Sequence, residues 1–135
     1  MDITGYWYNE LGSTMEINPV ANGQFTGSYC TAVSSGCAHG SFALVGQTDT
    51  ESGGDAVGFV VCWKNASSNC QSITAWSGHT NGNDQITAFW LLTAKLSSDN
   101  LEWDATQIGQ DIFTRILPGE EQIAAKLKAV RRSHP

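Results

Sequence analysis

Apolar and polar residues alternate along most of the chain, in short runs separated by turn-forming residues. The runs cover 5–9, 14–18, 24–31, 40–47, 56–63, 72–79, 85–94 and 107–115. A period of two is typical of strands with one buried face, and short Gly-, Asn- and Ser-containing separators are typical of hairpin turns. The pattern predicts an all-β fold, an eight-stranded antiparallel up-and-down β-barrel, since closure leaves no exposed edge. An immunoglobulin-like sandwich is the main alternative, although it would need longer Greek-key connections.

The last stretch of the sequence changes its period. Ile123, Leu127 and Val130 recur at i, i+4 and i+7, which forms one apolar stripe on a helix. Acidic residues precede basic ones in the same stretch, and that order complements a helix dipole. A short helix is therefore predicted over about 120–131, outside the barrel. Two interpretations stay open: a frayed solubilising tail, or a helix that docks on the barrel or on a partner chain.

Size and charge narrow the class of protein. The chain has 135 residues, which suits a single core, and we divide it into a barrel over 1–118 and a C-terminal extension over 119–135, predicted to be helical. The net charge of −6 makes nucleic acid and anionic membrane surfaces poor candidate partners. No apolar run approaches the roughly 20 residues of a membrane span. No signal peptide is apparent at the start, and we interpret the sequence as a mature chain.

The tryptophans indicate which face of each strand points inward. A small barrel can bury an indole ring only in its interior, and alternate residues of a strand share a face. Neutral polar residues therefore point inward as well, namely Asn9, Ser13, Thr31, Ser72 and Thr74. A buried polar group without a partner costs about 1–3 kcal/mol. These groups must either bond to one another with buried water or serve a ligand, and the mixture of aromatic walls and convergent polar groups favours a ligand cavity.

Catalytic and metal-binding patterns are weak. Acidic clusters such as Asp49/Glu51 fall in turns, where they are usually solvated, and the histidines lack metal-ligand spacing. The sequence therefore predicts neither an enzyme nor a metal site. A carbohydrate-binding module would need tryptophans on an outer face, and a lipocalin-like carrier of another small ligand would have fewer inward polar groups.

Six motifs carry a resemblance to a known family. They are "WYNELGST", "TGSYCTAV", "GFVVCWKN", "SITAWSGH", "ITAFWLLT" and "GQDIFTRI", and they span about residues 4 to 116. Their order and tryptophan positions resemble those of the avidin and streptavidin family. The resemblance implies high-affinity, non-covalent binding of biotin in a preformed barrel pocket, with no catalysis and no cofactor.

The resemblance also assigns a role to individual residues. Asn9, Ser13 and Tyr29 match the donors to the ureido oxygen of biotin, and Thr31 and an ionised Asp111 match the acceptors for its N–H groups. The remaining assignments are an aromatic box of Trp63, Trp76 and Trp90 with Leu92 beside it, Thr74 near the ring sulfur, and Ser72 with the backbone of Val33, Ser34 and Ser35 around the valerate carboxylate.

Trp103 bears on the number of subunits in the assembly. In tetrameric family members a tryptophan at the matching position reaches into the pocket of the neighbouring subunit. The resemblance therefore favours a homo-oligomer, with a tetramer ahead of a dimer or a higher assembly. The alternative is a rim tryptophan that packs only at a local interface.

The four cysteines fall into two pairs. Cys37 and Cys70 match a loop-to-loop disulfide of dimeric bacterial avidins, which implies an oxidising location, secreted or periplasmic. Cys30 and Cys62 neighbour inward residues, so they point outward, and the strand 40–47 should separate them by about 9–10 Å. A disulfide needs Cα atoms within about 7 Å, so two free thiols are expected, buried at a subunit interface or on the surface.

Overall fold

The computed structural model describes residues 1–32, 37–81, 84–96 and 105–128. Its strands are β1 (Gly5–Tyr8), β2 (Thr14–Ile17), β3 (Gln24–Cys30), β4 (Phe42–Thr48), β5 (Ala56–Lys64), β6 (Asn69–Asn81), β7 (Gln85–Ala94) and β8 (Thr106–Thr114). Each strand pairs antiparallel with the one before it, and β8 pairs with β1, so the eight strands form a closed barrel. The predicted barrel is confirmed, and the sandwich alternative is excluded.

The predicted alternation determines the interior. In β4, β5 and β7 buried residues alternate with exposed or half-buried ones, and the buried set includes all of the tryptophans in these strands. The buried side chains form one continuous apolar core. Side chains at every second strand position thus fill the barrel, and the positions between them form its outer surface.

One side chain, Arg115, reinforces the closure between the first and last strands. β1 and β8 are joined by the single register pair Tyr8 and Thr114. Beyond that pair, the guanidinium of Arg115 donates to the backbone oxygens of Asp2, Thr4 and Tyr6 at 3.0, 3.0 and 3.1 Å. The same group lies 3.8 Å from the centroid of the buried indole ring of Trp7. Arg115 therefore fastens the N-terminal segment where the strand ladder ends.

Strand boundaries differ from the prediction mainly at β6, which begins at Asn69 instead of at residue 72. Gln71 has a φ of +54°, and the pairing of β5 with β6 shifts between Cys62 and Lys64. A bulge of this kind adds a residue without ending the strand. Residues 69–71, which the sequence assigned to a loop, therefore form the irregular start of β6. A short 3₁₀-helix over Thr50–Ser52 was also not predicted.

The C-terminal helix α1 (Glu120–Leu127) docks on the barrel. Its Ile123 is half-buried over the turn between β1 and β2, where a Cβ added at Gly12 would lie 2.9 Å from the Ile123 Cδ1 atom. Gly12 has a φ of +87°, so glycine suits the backbone there as well as the contact. The Ile123 contact favours a docked helix over a frayed tail. Residues 129–131 of the predicted helix lie outside the described residues. Within the described segments, no helix has the length and apolarity needed to cross a membrane.

We predict that Arg115→Ala lowers the free energy of unfolding by about 2 kcal/mol, because it removes the cation–π contact and the charged hydrogen bonds to the N-terminal segment. The free energy of unfolding of Arg115→Lys should lie between those of the wild type and Arg115→Ala, because lysine keeps the charge but lacks the planar guanidinium group. Urea unfolding followed by tryptophan fluorescence at fixed protein concentration measures both effects. An unchanged midpoint in Arg115→Ala would show that the ladder alone closes the barrel.

Candidate functional site

Four polar side chains meet inside the barrel, far apart in sequence but fully buried. They are Asn9, Ser13, Tyr29 and Asp111, and we call them the polar cluster. Asn9 and Ser13 flank the turn between β1 and β2, Tyr29 lies near the end of β3, and Asp111 lies on β8. The sequence predicted that all four point inward, and the structure brings them together.

The amide of Asn9 is oriented by its own turn. Its Oδ1 accepts hydrogen bonds from the backbone N–H groups of Leu11 and Ser13 at 3.0 and 2.9 Å. The Nδ2 group consequently points the other way, 3.5 Å from the Tyr29 hydroxyl and 3.5 Å from Asp111 Oδ1. Since the acceptor end is held by the backbone, Asn9 presents donors to the barrel interior.

The two hydroxyl groups of the cluster are linked to each other. Ser13 Oγ accepts a hydrogen bond of 2.9 Å from the backbone N–H of Ala32, and the Tyr29 hydroxyl hydrogen-bonds to Ser13. Burial, followed by the nearby Asp111 carboxyl, raises the pKa of Tyr29 well above its ordinary value. Tyr29 therefore stays neutral at physiological pH and keeps a proton to donate.

The carboxyl group of Asp111 has a pKa above that of an ordinary aspartate. Its Oδ2 accepts a hydrogen bond of 2.9 Å from Trp76 Nε1. Burial and then the charge of Glu10 nevertheless raise the pKa of Asp111 to about 8. The resemblance implied an ionised carboxylate here, whereas the raised pKa favours the protonated form near neutral pH. Burial is the larger cause of the raised pKa, and the second is Glu10, a residue of the adjacent turn to which the sequence assigned no role.

Indole rings form the walls next to the polar cluster. Trp63, Trp76 and Trp90 are all buried. Trp63 Nε1 donates to Thr74 Oγ1 at 2.8 Å, and Trp76 stacks on Phe59 with 4.8 Å between ring centroids. These contacts hold the Trp63 and Trp76 rings in place without a ligand.

β6 and β7 together form one aromatic wall. Trp76 is the register partner of Trp90, and Thr74 is the register partner of the buried Leu92. All four were predicted to face the interior, and the pairing places them side by side. Ser72 and Thr31, two further predicted site residues, are half-buried.

Gly109 shapes this wall although it contributes no side chain. It is the register partner of Trp90 on β8, and a Cβ atom added there would overlap the Trp90 indole ring. The ring thus occupies the space that any other residue would fill. Sequence reasoning missed Gly109, although a glycine at an inward position of a strand was a usable signal.

Two links join the loops near Thr31 and Ser72. The disulfide predicted between Cys37 and Cys70 is confirmed, with Cα atoms 5.8 Å apart. Asn65 adds a second link, because its Nδ2 donates to the backbone oxygens of His39 and Ser41 at 2.8 and 3.1 Å. Residues 37–41 are therefore tied to the start of β6 by the disulfide and to the connection between β5 and β6 by hydrogen bonds.

Several predictions fall outside these contacts. Val33, Ser34, Ser35 and Trp103 lie outside the described residues. Cys30 and Cys62 are free and exposed on the outer surface, as expected for residues next to inward-facing Tyr29 and Trp63. Across 1–32, 37–81, 84–96 and 105–128, no group of three or more His, Cys, Asp or Glu residues could hold a metal ion.

A closed barrel with a polar cluster and indole walls in its interior defines a binding protein for a small ligand. Comparisons with known proteins identify the family. The Avidin family model matches residues 1–116. Avidin-related protein 4/5 of Gallus gallus is 33% identical over 125 residues, which cover 88% of this chain and 81% of the relative. Avidin of Gallus gallus is 32% identical over 131 residues, with the same coverage of 88% and 81%. Afifavidin of Afifella pfennigii is 35% identical over 118 residues, covering 84% of this chain and 69% of the relative. The chain therefore belongs to the avidin family.

We predict that Gly109→Ala weakens ligand binding by roughly tenfold or more, because an added methyl group must displace the Trp90 ring at a cost of about 1–3 kcal/mol. Gly119→Ala is the matched control, since nothing lies within 4 Å of a Cβ atom at Gly119. Titrations monitored by tryptophan fluorescence compare the two variants. Equal affinity in both would mean that the Trp90 ring position is not fixed by Gly109.

Proposed function

We propose that this chain binds biotin non-covalently and with high affinity in a pocket preformed inside the barrel, and that it catalyses no reaction. The avidin family consists of non-enzymatic biotin-binding proteins, and the chain belongs to that family over residues 1–116. The observation that supports the proposal is the polar cluster, in which backbone hydrogen bonds hold Asn9 and Ser13 in position.

The polar cluster suits the ureido group of biotin. Asn9 Nδ2 and the hydroxyls of Ser13 and Tyr29 are three neutral donors for one ureido oxygen. Donors fixed before binding favour the charge-separated form of that group without a cost of reorganisation. Thr31 and Asp111 are then the acceptors for the two ureido N–H groups.

The walls suit the rest of the ligand. The indole box of Trp63, Trp76 and Trp90, with Leu92, encloses the apolar bicyclic ring, and Thr74 faces the ring sulfur. The valerate carboxylate is assigned to Ser72 and to backbone N–H groups of Val33, Ser34 and Ser35.

The tied loops support tight binding. The Cys37–Cys70 disulfide and the contacts of Asn65 hold residues 37–41 in place within the fold itself. Preorganisation improves affinity because less conformational entropy is lost on binding. A structural disulfide forms in oxidising compartments, so we assign the protein to a secreted or periplasmic location.

The outer surface supports a homo-oligomer. Val45, Val60, Ala75, Leu91 and Ile108 are register neighbours on β4 to β8, and all are exposed in the single chain. We call this set the apolar row. A continuous apolar band across five strands is typical of a subunit interface. We assign it to a second copy of the chain, in a tetramer in which Trp103 reaches the neighbouring pocket.

We predict that Tyr29→Phe weakens biotin binding roughly tenfold or more, because it removes one aligned donor. Asp111→Ala should weaken it further, since it removes a ligand acceptor and also the partner of Trp76 Nε1. Tyr6→Phe is the control, because Tyr6 lies exposed on the outer face of β1. Displacement titrations with biotin measure all three variants.

Two outcomes would contradict the assignment. Unchanged affinity in both Tyr29→Phe and Asp111→Ala would remove the polar cluster from the site. A wild-type protein whose tryptophan fluorescence responds to oligosaccharides but not to biotin would refute the proposed ligand.

For Trp103→Lys we predict faster biotin dissociation together with a smaller particle, because the substitution removes an apolar ring and adds a charge at a subunit contact. Trp103→Phe is the control that keeps an aromatic ring. Light scattering and biotin dissociation kinetics on the same samples test both effects. If neither the particle size nor the rate of biotin dissociation changes, Trp103 is only a local rim residue.

A further inference from the structure

The carboxyl group of Glu10 lies behind the ligand-facing Asp111. Glu10 Oε2 accepts a hydrogen bond of 3.1 Å from the backbone N–H of Ile112, the residue after Asp111. The Glu10 and Asp111 carboxyl groups also lie within hydrogen-bond reach of each other. Two ionised carboxylates have only acceptors, so a hydrogen bond between them requires one proton.

We propose that Glu10 makes ligand capture proton-linked: the Glu10–Asp111 pair shares one proton in the empty barrel and releases it to solvent when a ureido N–H group donates to Asp111. This inference rests on the proposed biotin function. It gives Glu10 a positioning role, because Glu10 acts on the ligand only through Asp111.

The surroundings of Asp111 favour a shared proton. Asp111 is fully buried, and its oxygens face Trp76 Nε1 and the amide of Asn9, which are donors without a formal charge. A second negative charge beside it would be strongly unfavourable in this low-dielectric interior. The raised pKa of Asp111 has the same two causes, burial and Glu10.

Few other titratable groups face the pair in the described part of the chain. Tyr29 on β3 is neutral, and Trp76 on β6 and Ala88, the β7 partner of Asp111, do not titrate. From α1, Lys126 lines the same groove of about 430 Å³ as Glu10. We place the shared proton on Asp111, because it is the fully buried member of the pair.

The sign of the pH dependence follows from which form the ligand prefers. A ureido N–H donor stabilises an ionised acceptor more than a neutral one, so bound biotin lowers the pKa of Asp111. Binding below the pKa of the empty barrel must then release a proton. Affinity is therefore expected to rise with pH by up to about tenfold per unit, and to level off above about pH 8.

Isothermal titration calorimetry with biotin in buffers of different ionisation enthalpy counts the protons released. Near neutral pH the wild-type protein should release close to one proton per site. Glu10→Gln keeps an acceptor for the Ile112 N–H and can donate to Asp111, so it lowers the pKa of Asp111 by removing one of the two causes that raise it. That variant should release fewer protons than the wild type at the same pH, and its affinity should level off at a lower pH. Glu16→Gln, which removes a charge from the outer face of β2, should behave as the wild type.

The outcomes separate this inference from the proposed function. Biotin binding without proton release in the wild type, or equal release in Glu10→Gln, would overturn the proton linkage alone. No biotin binding at any pH would overturn the proposed function, and proton-linked capture with it. Carboxyl ¹³C NMR titration of the ligand-free protein tests the pair separately. An Asp111 midpoint near that of an ordinary aspartate, or one unchanged by Glu10→Gln, would refute the pair.

Discussion

The two backbone hydrogen bonds that Asn9 Oδ1 accepts in the first turn are the constraint on which the interior depends. They leave Asn9 Nδ2 no direction except toward Tyr29 and Asp111, so the polar cluster is ordered by the fold itself. The cost of burying these groups is offset within the barrel, by short turns and by strand register, before any ligand is present. The binding site is therefore formed when the chain folds, and its geometry depends on the turn between β1 and β2.

Much of this interior was predictable because its signal is local. Alternation with a period of two shows which residues face inward, so the positions of Trp63 and Thr74 followed from neighbours in the sequence, whereas Asp111 was assigned by the family resemblance. The Glu10–Asp111 pair did not, because its two residues are about 100 positions apart and Glu10 reads as an ordinary turn carboxylate. Gly109 was missed for a related reason: the ring that fills its missing side chain belongs to another strand. The hydrogen bonds of Arg115 likewise depend on how the two ends of the barrel meet.

In the proposed function, the interior of the barrel uses polar groups to orient a ligand, and its exterior presents apolar groups to another subunit. Inside, hydrogen-bonding groups are held in fixed positions and give direction to the site. Outside, the apolar row crosses five strands with no polar residue in it, which gives strong but undirected attraction. Because each strand contributes to both surfaces through alternate residues, a one-residue slip in register would exchange the two roles and destroy both.

Cys30 and Cys62 lie one residue along the chain from Tyr29 and Trp63, yet on the opposite side of the barrel wall. A fluorophore or spin label attached to either thiol would therefore sit a single strand's thickness from the bound molecule without entering its chamber. The disulfide cysteines would not compete for the reagent under non-reducing conditions. The fold thus supplies its own attachment points for optical or magnetic reporters of occupancy.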